Sequence, residues 1–316
     1  MAIAPARALS AKVGSGFPQD MRRARPLLGT FVEICVSGSA RSDVDDAVDA
    51  AFADVARVHR LMSFHEADSD VGRVNRDGYD AAVAVDPWTF QVLEAAIDLN
   101  RRSEGLFDVG VAPALQRLGL LPGVPDDPRE PIGGGAHDAI ELLPGRRVRL
   151  RHRGVRIDLG GIAKGFAVDR AVEVLNDRGV AGGIVNAGGD LAAFGSLPHV
   201  VDIRDPRDPR HALCRLRLRN AALASSGGRF DPLASAAVGP AAIVDPRSHA
   251  RVCAIIGASV VAPSCMLADA LTKVVMLAGE HATPLLQHWQ AEALFVPASG
   301  DVRVTPHWQD SVDLAA

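Results

Sequence analysis

One short stretch of the chain combines residue types that could bind a phosphate group. It contains Asp158, glycines at 160 and 161, and Lys164, and a helix-like pattern of apolar residues follows. A strand that enters a glycine turn before a helix brings free backbone N–H groups to the positive end of that helix, which suits an anion. The same residues also fit a plain strand-to-helix turn with a solvated lysine, because short motifs have a high false-positive rate.

The scarcity of lysine favours the phosphate interpretation. Of the 34 basic residues only Lys12, Lys164 and Lys273 are lysine, and all the others are arginine. A compact, flexible ammonium differs in chemistry from the planar guanidinium of arginine. A lysine that is kept in such a chain therefore indicates a specific role, and we expect Lys164 to contact phosphate.

A second pair of charged residues lies near the end of the chain. Asp269 and Lys273 are four residues apart in an otherwise apolar, helical stretch, so they share one helix face. Such a pair is commonly a simple ion pair at the edge of a core. A buried carboxylate always needs a partner, and either magnesium or the Lys273 ammonium could supply it here.

Composition excludes several classes of function. The 316 residues carry a net charge of −4, and one tyrosine with three tryptophans offers little for base stacking, so we expect no nucleic-acid partner. The four cysteines show no Cys-x-x-Cys spacing, which is typical of reduced thiols. We find no signal peptide and no stretch long enough to span a membrane, and we expect a cytoplasmic protein.

The predicted elements mix helices with strands and hairpins. Strand-like runs include 31–36 and 155–158, and a hairpin is expected over 141–150. Helices are predicted from 42 or 43 to about 62, from 86 to about 105 and from 264 to 279. This order favours an α+β fold with mixed, largely antiparallel sheets and packed helices. We predict a flexible N-terminal tail over 1–22 and a single domain over 23–316.

Six short motifs occur in an order that resembles the FAD:protein FMN transferases, the ApbE-type flavin transferases. The resemblance runs from about Pro26 to about Gly279 and implies an ApbE-like α/β roll. The motifs are Gly-Leu-Phe-Asp108, Asp158-Leu-Gly-Gly-Ile-Ala-Lys164-Gly, Asn186-Ala-Gly-Gly-Asp190, Ser225-Ser-Gly, Val244-Asp-Pro-Arg247 and Ala-Asp269-Ala-Leu.

The resemblance implies an activity and a set of site residues. The family transfers the FMN half of FAD to a Ser or Thr hydroxyl of an acceptor protein, releases AMP and binds magnesium. Family acceptors carry a short Asp-containing segment ending in Ser/Thr-Gly-Ala-Thr. Asp269 and Lys273 would be catalytic, and Gly161, through its carbonyl, and Asp269 would bind the metal. The FAD site would comprise Leu28, His65, Leu106, Phe107, Asp108, Asp158, Lys164 and Ile243.

Lys273 departs from the family pattern. The family usually has threonine four residues after the metal-binding aspartate, and an ammonium cannot ligate Mg²⁺ as a threonine oxygen can. The alternatives to transfer are an FAD pyrophosphatase, in which water replaces the acceptor hydroxyl, and a non-catalytic FAD-binding protein. In the second of these, the Lys273 ammonium would replace the metal.

Overall fold

The computed structural model describes residues 13–14, 21–37, 41–123, 136–230, 238–239 and 243–314. In these ranges the strands are β1 (Val13–Gly14), β2 (Met21–Leu27), β3 (Thr30–Ser37), β4 (Val83–Ala84), β5 (Ile140–Leu143), β6 (Arg147–Leu150), β7 (Gly182–Ala187), β8 (Asp190–Gly195), β9 (His199–Arg204), β10 (Ala212–Leu218), β11 (Ala221–Gly227), β12 (Arg229–Phe230), β13 (Val238–Gly239), β14 (Ile255–Ala262), β15 (Glu292–Pro297), β16 (Arg303–Val304) and β17 (Asp313–Leu314).

The helices of the described ranges are α1 (Arg41–Met62), α2 (Asp70–Asp77), α3 (Pro87–Arg102), α4 (Ala112–Arg117), α5 (Ala136–Ala139), α6 (Ala163–Asp177), α7 (Cys265–Ala278), α8 (Thr283–His288) and α9 (Trp308–Ser311). A 3₁₀ turn, Gly279–Ala282, follows α7. None of the described helices is both long and apolar enough to cross a membrane.

The chain divides into two compact units. The first unit comprises Met1–Arg57, Lys164–Ala241 and Cys253–Ala316, and the second comprises Val58–Ala163 and Ala242–Val252. The expectation of one domain over 23–316 stays a prediction. The predicted tail over 1–22 lies mostly outside the described residues, although the last two of its residues already belong to β2.

The first unit contains an antiparallel sheet of eight strands in the order β16-β15-β14-β11-β8-β7-β3-β2. A second sheet has the order β1-β9-β10-β17. A buried apolar cluster joins the two sheets, with Ile184, Leu191 and Leu223 from the larger and Ile203 and Leu216 from the smaller. Helix α7 lies against β11 and β14. The predicted antiparallel α+β architecture is confirmed.

The second unit is built around a sheet of three antiparallel strands in the order β4-β6-β5. Helix α3 begins as predicted, because Asp86 Oδ1 accepts a hydrogen bond from the Trp88 N–H at 2.9 Å and proline occupies the first helical position. The β5–β6 pair confirms the predicted hairpin. This unit also contains Asp158 with the two glycines that follow it, and the Phe107–Asp108 segment.

In the second unit one helix was not predicted from the sequence, and one predicted strand was wrong. The segment 70–77 forms α2, capped by the Ser69 hydroxyl, but only Val71 and Val74 supply buried apolar side chains, so no clear periodicity marks it in the sequence. The run 155–158 is not a strand and forms one isolated bridge, between Arg156 and Val111. Its backbone groups are instead bonded by an asparagine side chain, described below.

Candidate active site

The residues expected at the site belong to both units, which are described in turn. The first unit contains Leu28, Lys164, Asp269 and Lys273. The second contains His65, Leu106, Phe107, Asp108, Asp158, Gly161 and Ile243.

Four charged side chains of alternating sign form a row in the first unit: Asp190, Lys164, Asp269 and Lys273. The Lys164 ammonium is bonded to the Asp190 carboxylate and lies 4.0 Å from Oδ1 of Asp269. The Lys273 ammonium is bonded to the same Oδ1 and also donates to the Asp269 carbonyl oxygen at 2.9 Å. The row, from Asp190 to Lys273, is therefore neutral when all four groups are ionised.

Burial divides this charge row into an inner and an outer part. The side chains of Asp190 and Asp269 are 1% and 0% exposed, whereas those of Lys164 and Lys273 are 32% and 18% exposed. An ammonium has three N–H donors, and Asp269 accepts two from Lys273. The buried carboxylates thus hold two partly accessible cations, an arrangement that suits an anionic ligand.

The pKa values of Asp269 and Lys164 reflect the same arrangement. Burial opposes ionisation of Asp269, but the nearby Lys164 and Lys273 ammoniums outweigh it and hold the pKa of this carboxyl below its usual range. Burial lowers the pKa of Lys164, and the Asp269 carboxylate opposes that effect. Asp269 is consequently a poor proton acceptor, and its ionised carboxylate lies between two ammonium groups.

The N-terminal end of α6 already binds an anionic group of the protein itself. The Gly165 N–H donates to Oδ2 of Asp269 at 3.1 Å. A Cβ at Gly165 would lie 2.2 Å from the carbonyl oxygen of Cys265, so glycine is needed for the close approach of α6 and α7. The expectation of free backbone N–H groups at this turn therefore has to be revised for Gly165.

The described residues around Asp269 do not fit a magnesium site. Mg²⁺ prefers near-octahedral coordination by oxygen atoms, whereas the Asp269 carboxylate lies between two ammonium groups, those of Lys164 and Lys273. Both carboxylate oxygens of Asp269 accept hydrogen bonds from the protein. The Lys273 ammonium, at about 4 Å from an ion bound at Asp269, would repel each unit of that ion's charge by roughly 4 kcal/mol at an effective dielectric near 20.

Thr272, next to Lys273 in sequence, is bonded within the helix and to β11. Its hydroxyl donates to the Asp269 carbonyl at 2.7 Å and lies 2.7 Å from the Ser226 hydroxyl. It is fully buried. Thr272 therefore joins α7 to the Ser225-Ser-Gly motif.

In the second unit, two expected FAD-binding segments lie side by side. The Asp158 N–H donates to the Val109 carbonyl at 2.8 Å. Asp108 Oδ1 accepts from the Gly110 N–H at 2.6 Å, and Asp158 Oδ1 accepts from the Gly160 N–H at 3.1 Å. Both carboxylates are half-buried at turns. The structure thus brings Asp108 and Asp158, 50 residues apart in the numbering of the chain, into neighbouring segments.

The remaining expected residues differ in exposure. Phe107 is buried, Leu106, Gly161 and Ile243 are half-buried, and His65 is exposed. The backbone carbonyl of Ile243 accepts a hydrogen bond from Val252 N–H at 3.1 Å.

Leu28, in the first unit, has an unusual backbone conformation. It is half-buried in the two-residue turn between β2 and β3, and its φ is +56°. Gly29 follows with φ +69°. Leucine rarely adopts this left-handed region, because its Cβ crowds the backbone there.

Sequence reasoning did not assign three residues that hold the expected site residues in place. Asp190 was noticed only as part of a glycine motif, and its partner Lys164 lies 26 residues away. The side chains of Asn75 and Asn100 bond the backbone beside Asp158 and at Phe107. A buried asparagine is a weak signal in one sequence, because hydrogen bonding to a distant backbone leaves no local pattern.

Comparison with known proteins identifies the class. The profile of the ApbE family matches residues 28–295, and the chain belongs to this family. The predicted resemblance to the ApbE-type flavin transferases is therefore confirmed.

Curated relatives of the chain share one name. The chain is 29% identical over 303 residues to the FAD:protein FMN transferase of Rhodobacter capsulatus. This match covers 89% of the chain and 56% of that protein, so the chain spans little more than half of that relative's length. It is 29% identical to that of Vibrio cholerae over 71% of this chain and 70% of that one. The relative of Treponema pallidum is 26% identical, with 93% and 89% covered. These names agree with the expected enzyme class, a transferase.

Solved structures agree with the fold. The ApbE protein of Thermotoga maritima superposes with a TM-score of 0.81 at 26% identity, covering 92% of this chain and 98% of that one. The flavin transferase ApbE of Vibrio cholerae gives a TM-score of 0.77 at 21% identity, covering 92% and 99%, and supports the fold alone.

Proposed function

We propose that this protein is an FAD:protein FMN transferase. The observation that carries the proposal is the charge row, in which the buried carboxylates Asp190 and Asp269 hold the Lys164 and Lys273 ammoniums in partly accessible positions. A pyrophosphate needs such positive charge, because positioning and electrostatics dominate phosphoryl transfer. The family membership and the names of the relatives support the same reaction.

The proposed reaction needs no redox partner. A Ser or Thr hydroxyl oxygen of an acceptor protein attacks the phosphorus of the FMN half of FAD. The bond from that phosphorus to the bridging oxygen breaks, AMP leaves with the bridging oxygen, and the hydroxyl proton is released. The products are the FMN phosphoester of the acceptor, AMP and one proton.

The residues have separate proposed roles. Lys273 and Lys164 bind non-bridging oxygens of the pyrophosphate and offset the charge that develops on the departing phosphate. Asp269 holds the Lys273 ammonium in place. Leu28, His65, Leu106, Phe107, Asp108, Asp158 and Ile243 are proposed to bind the remaining parts of FAD.

We propose further that Lys273 replaces magnesium. Magnesium in such a site would supply positive charge to the pyrophosphate, and Gly161 with Asp269 would be its family ligands. Here the ammonium of Lys273 already occupies the Asp269 carboxylate. FAD binding should therefore depend little on magnesium.

AMP release distinguishes transfer from the two alternatives. Purified protein is mixed with FAD and magnesium, with and without a peptide that contains an aspartate and ends in Ser-Gly-Ala-Thr. Transfer predicts AMP and a flavin-labelled peptide only when the peptide is present. AMP without the peptide would instead indicate a pyrophosphatase, and no AMP under any condition, with FAD bound, would indicate a binding protein.

Magnesium dependence tests the replacement of the metal. FAD is titrated calorimetrically into wild type and Lys273→Thr, each with magnesium and with EDTA. We expect wild-type affinity to change less than about threefold, and the variant to bind FAD measurably better with magnesium, since a threonine oxygen can ligate the ion. Strong magnesium dependence of the wild type would refute the replacement but leave the transferase proposal standing.

A further inference from the structure

Two asparagine side chains hold the backbone of the proposed FAD-binding segments. Asn75, in α2, donates from Nδ2 to the Ile157 carbonyl at 2.8 Å and accepts at Oδ1 from the Ile157 N–H at 2.6 Å. A carboxamide has both a donor and an acceptor, so it bonds the N–H and the carbonyl of one residue, as a neighbouring antiparallel strand would. Ile157 is buried and directly precedes Asp158.

Asn100, in α3, holds the other segment together with Ser103. Its Nδ2 donates to the Phe107 carbonyl at 2.7 Å, and Asn100 is fully buried. The Ser103 hydroxyl accepts from the Phe107 N–H at 3.0 Å. Both backbone groups of Phe107 are therefore fixed, directly before Asp108.

These contacts tie the two segments to two different helices. The segments are also joined to each other, by the Asp158 N–H bond to the Val109 carbonyl and by the bridge between Val111 and Arg156. Since 155–158 lacks the ladder of a strand, the Asn75 side chain supplies bonds that a strand partner would otherwise make. The positions of Asp108 and Asp158 consequently depend on Asn100 and Asn75.

We propose that Asn75 and Asn100 are positioning residues for FAD binding. They act through the backbone of Ile157 and Phe107, which sets where Asp158 and Asp108 present their carboxylates. The inference rests on the proposed function, because it takes those carboxylates as part of the FAD site. A binding segment that is already ordered loses less conformational entropy when the ligand binds, so its affinity is higher.

The test compares Asn75→Ala with a matched control in the same unit. Asp86→Ala also removes one side chain that bonds backbone, the N-cap of α3, whose bond goes to the Trp88 N–H at the start of that helix. FAD affinity is measured by calorimetry and the melting temperature by circular dichroism. We expect Asn75→Ala to weaken FAD binding at least tenfold and Asp86→Ala less than twofold, at similar losses of melting temperature.

Asn75→Asp provides a milder variant in case Asn75→Ala does not fold. Its carboxylate keeps the acceptor for the Ile157 N–H and loses the donor to the Ile157 carbonyl, so we expect a smaller but measurable loss of FAD affinity. Asn100→Ala is the corresponding variant for Phe107, since it removes the donor to the Phe107 carbonyl. Equal FAD affinity in the wild type and these variants would overturn the proposal.

A double substitution shows whether Asn75 acts through Asp158. In a protein that already carries Asp158→Ala, the additional Asn75→Ala substitution should weaken FAD binding by less than threefold. The reason is that the effect of Asn75 is transmitted through Asp158, which is already removed. Full additivity would overturn the positioning role. Wild-type protein that binds no FAD would instead overturn the proposed function itself, so the two failures are distinguishable.

Discussion

Asp169 and Asp269 each cap the N-terminal end of the helix that carries the other. Asp169, in α6, accepts from the Cys265 and Met266 N–H groups of α7 at 2.7 and 2.8 Å. Asp269, in α7, accepts from the Gly165 N–H of α6 at 3.1 Å. A carboxylate at a helix N-terminus satisfies free donors and interacts favourably with the helix dipole. This exchange fixes α6 against α7 and, with it, Lys164 and Lys273.

Asp169 should make stability depend on pH. Burial raises the pKa of its carboxyl to about 6, above the value of roughly 3.9 for an unfolded chain. The folded state therefore holds this proton more tightly, and the contribution is fully present below about pH 4 and is lost as the pH rises through about 6. The loss is on the order of 3 kcal/mol.

Urea unfolding of wild type and Asp169→Asn between pH 4 and pH 7 measures this contribution. The variant has no titrating group at 169. The wild type should therefore lose unfolding free energy relative to the variant as the pH rises. Asparagine keeps only one acceptor, which costs about 1 kcal/mol at all pH values. A difference that stays constant across the range would contradict the prediction.

Gly165→Ala should destabilise the fold. A Cβ there would lie 2.2 Å from the Cys265 carbonyl oxygen and 2.7 Å from the Met266 Cα, which are backbone atoms, so the two helices would have to separate. We expect a loss of about 1–3 kcal/mol in unfolding free energy. Gly160→Ala is the control in the same motif, since its Cβ would meet only the movable Asp158 carboxylate at 3.2 Å. Equal losses would contradict the interpretation of close packing.

Removal of the Lys164 charge should leave Asp190 uncompensated. Asp190 is 1% exposed and bonded to Lys164, and breaking a buried ion pair costs about 3 kcal/mol or more. We expect Lys164→Met to lose about that much in denaturant unfolding. Adding Asp190→Asn should restore part of the loss, because the unpaired charge is removed. A double variant no more stable than Lys164→Met would show that Asp190 carries no such cost.

Leu28→Asn should stabilise the protein and weaken FAD binding. The left-handed conformation at Leu28, with φ +56°, costs a leucine about 1 kcal/mol that asparagine largely avoids in a two-residue hairpin turn. Leu28→Ala keeps a Cβ in the same conformation and should show no gain in stability. Thermal unfolding gives the first effect and FAD titration the second. A fall in stability for Leu28→Asn would mean that side-chain packing outweighs the strain.

Local signals account for the features that could be predicted from the sequence. Asp86 with Pro87 marks the start of α3, and Ser264 with Gly279, whose φ is +57°, delimits α7. These signals work because a cap or a glycine turn is decided by a few neighbouring residues. Helical spacing likewise placed Asp269 beside Lys273, and the structure shows them bonded.

The tertiary structure decided which distant groups meet. The run 155–158 has the composition of a strand, yet Asn75, 82 residues before Ile157, bonds that backbone. Lys164 was recognised from its rarity, but its contacts with Asp190 and Asp269 depend on how β8 and α7 pack around α6. Such pairings leave no local pattern, because each residue is compatible with several partners and tertiary packing decides which of them it contacts. The sequence by itself therefore determined the family resemblance, the approximate bounds of α1, α3 and α7, and the choice of Lys164 as a site residue, whereas packing decided which charges neutralise one another.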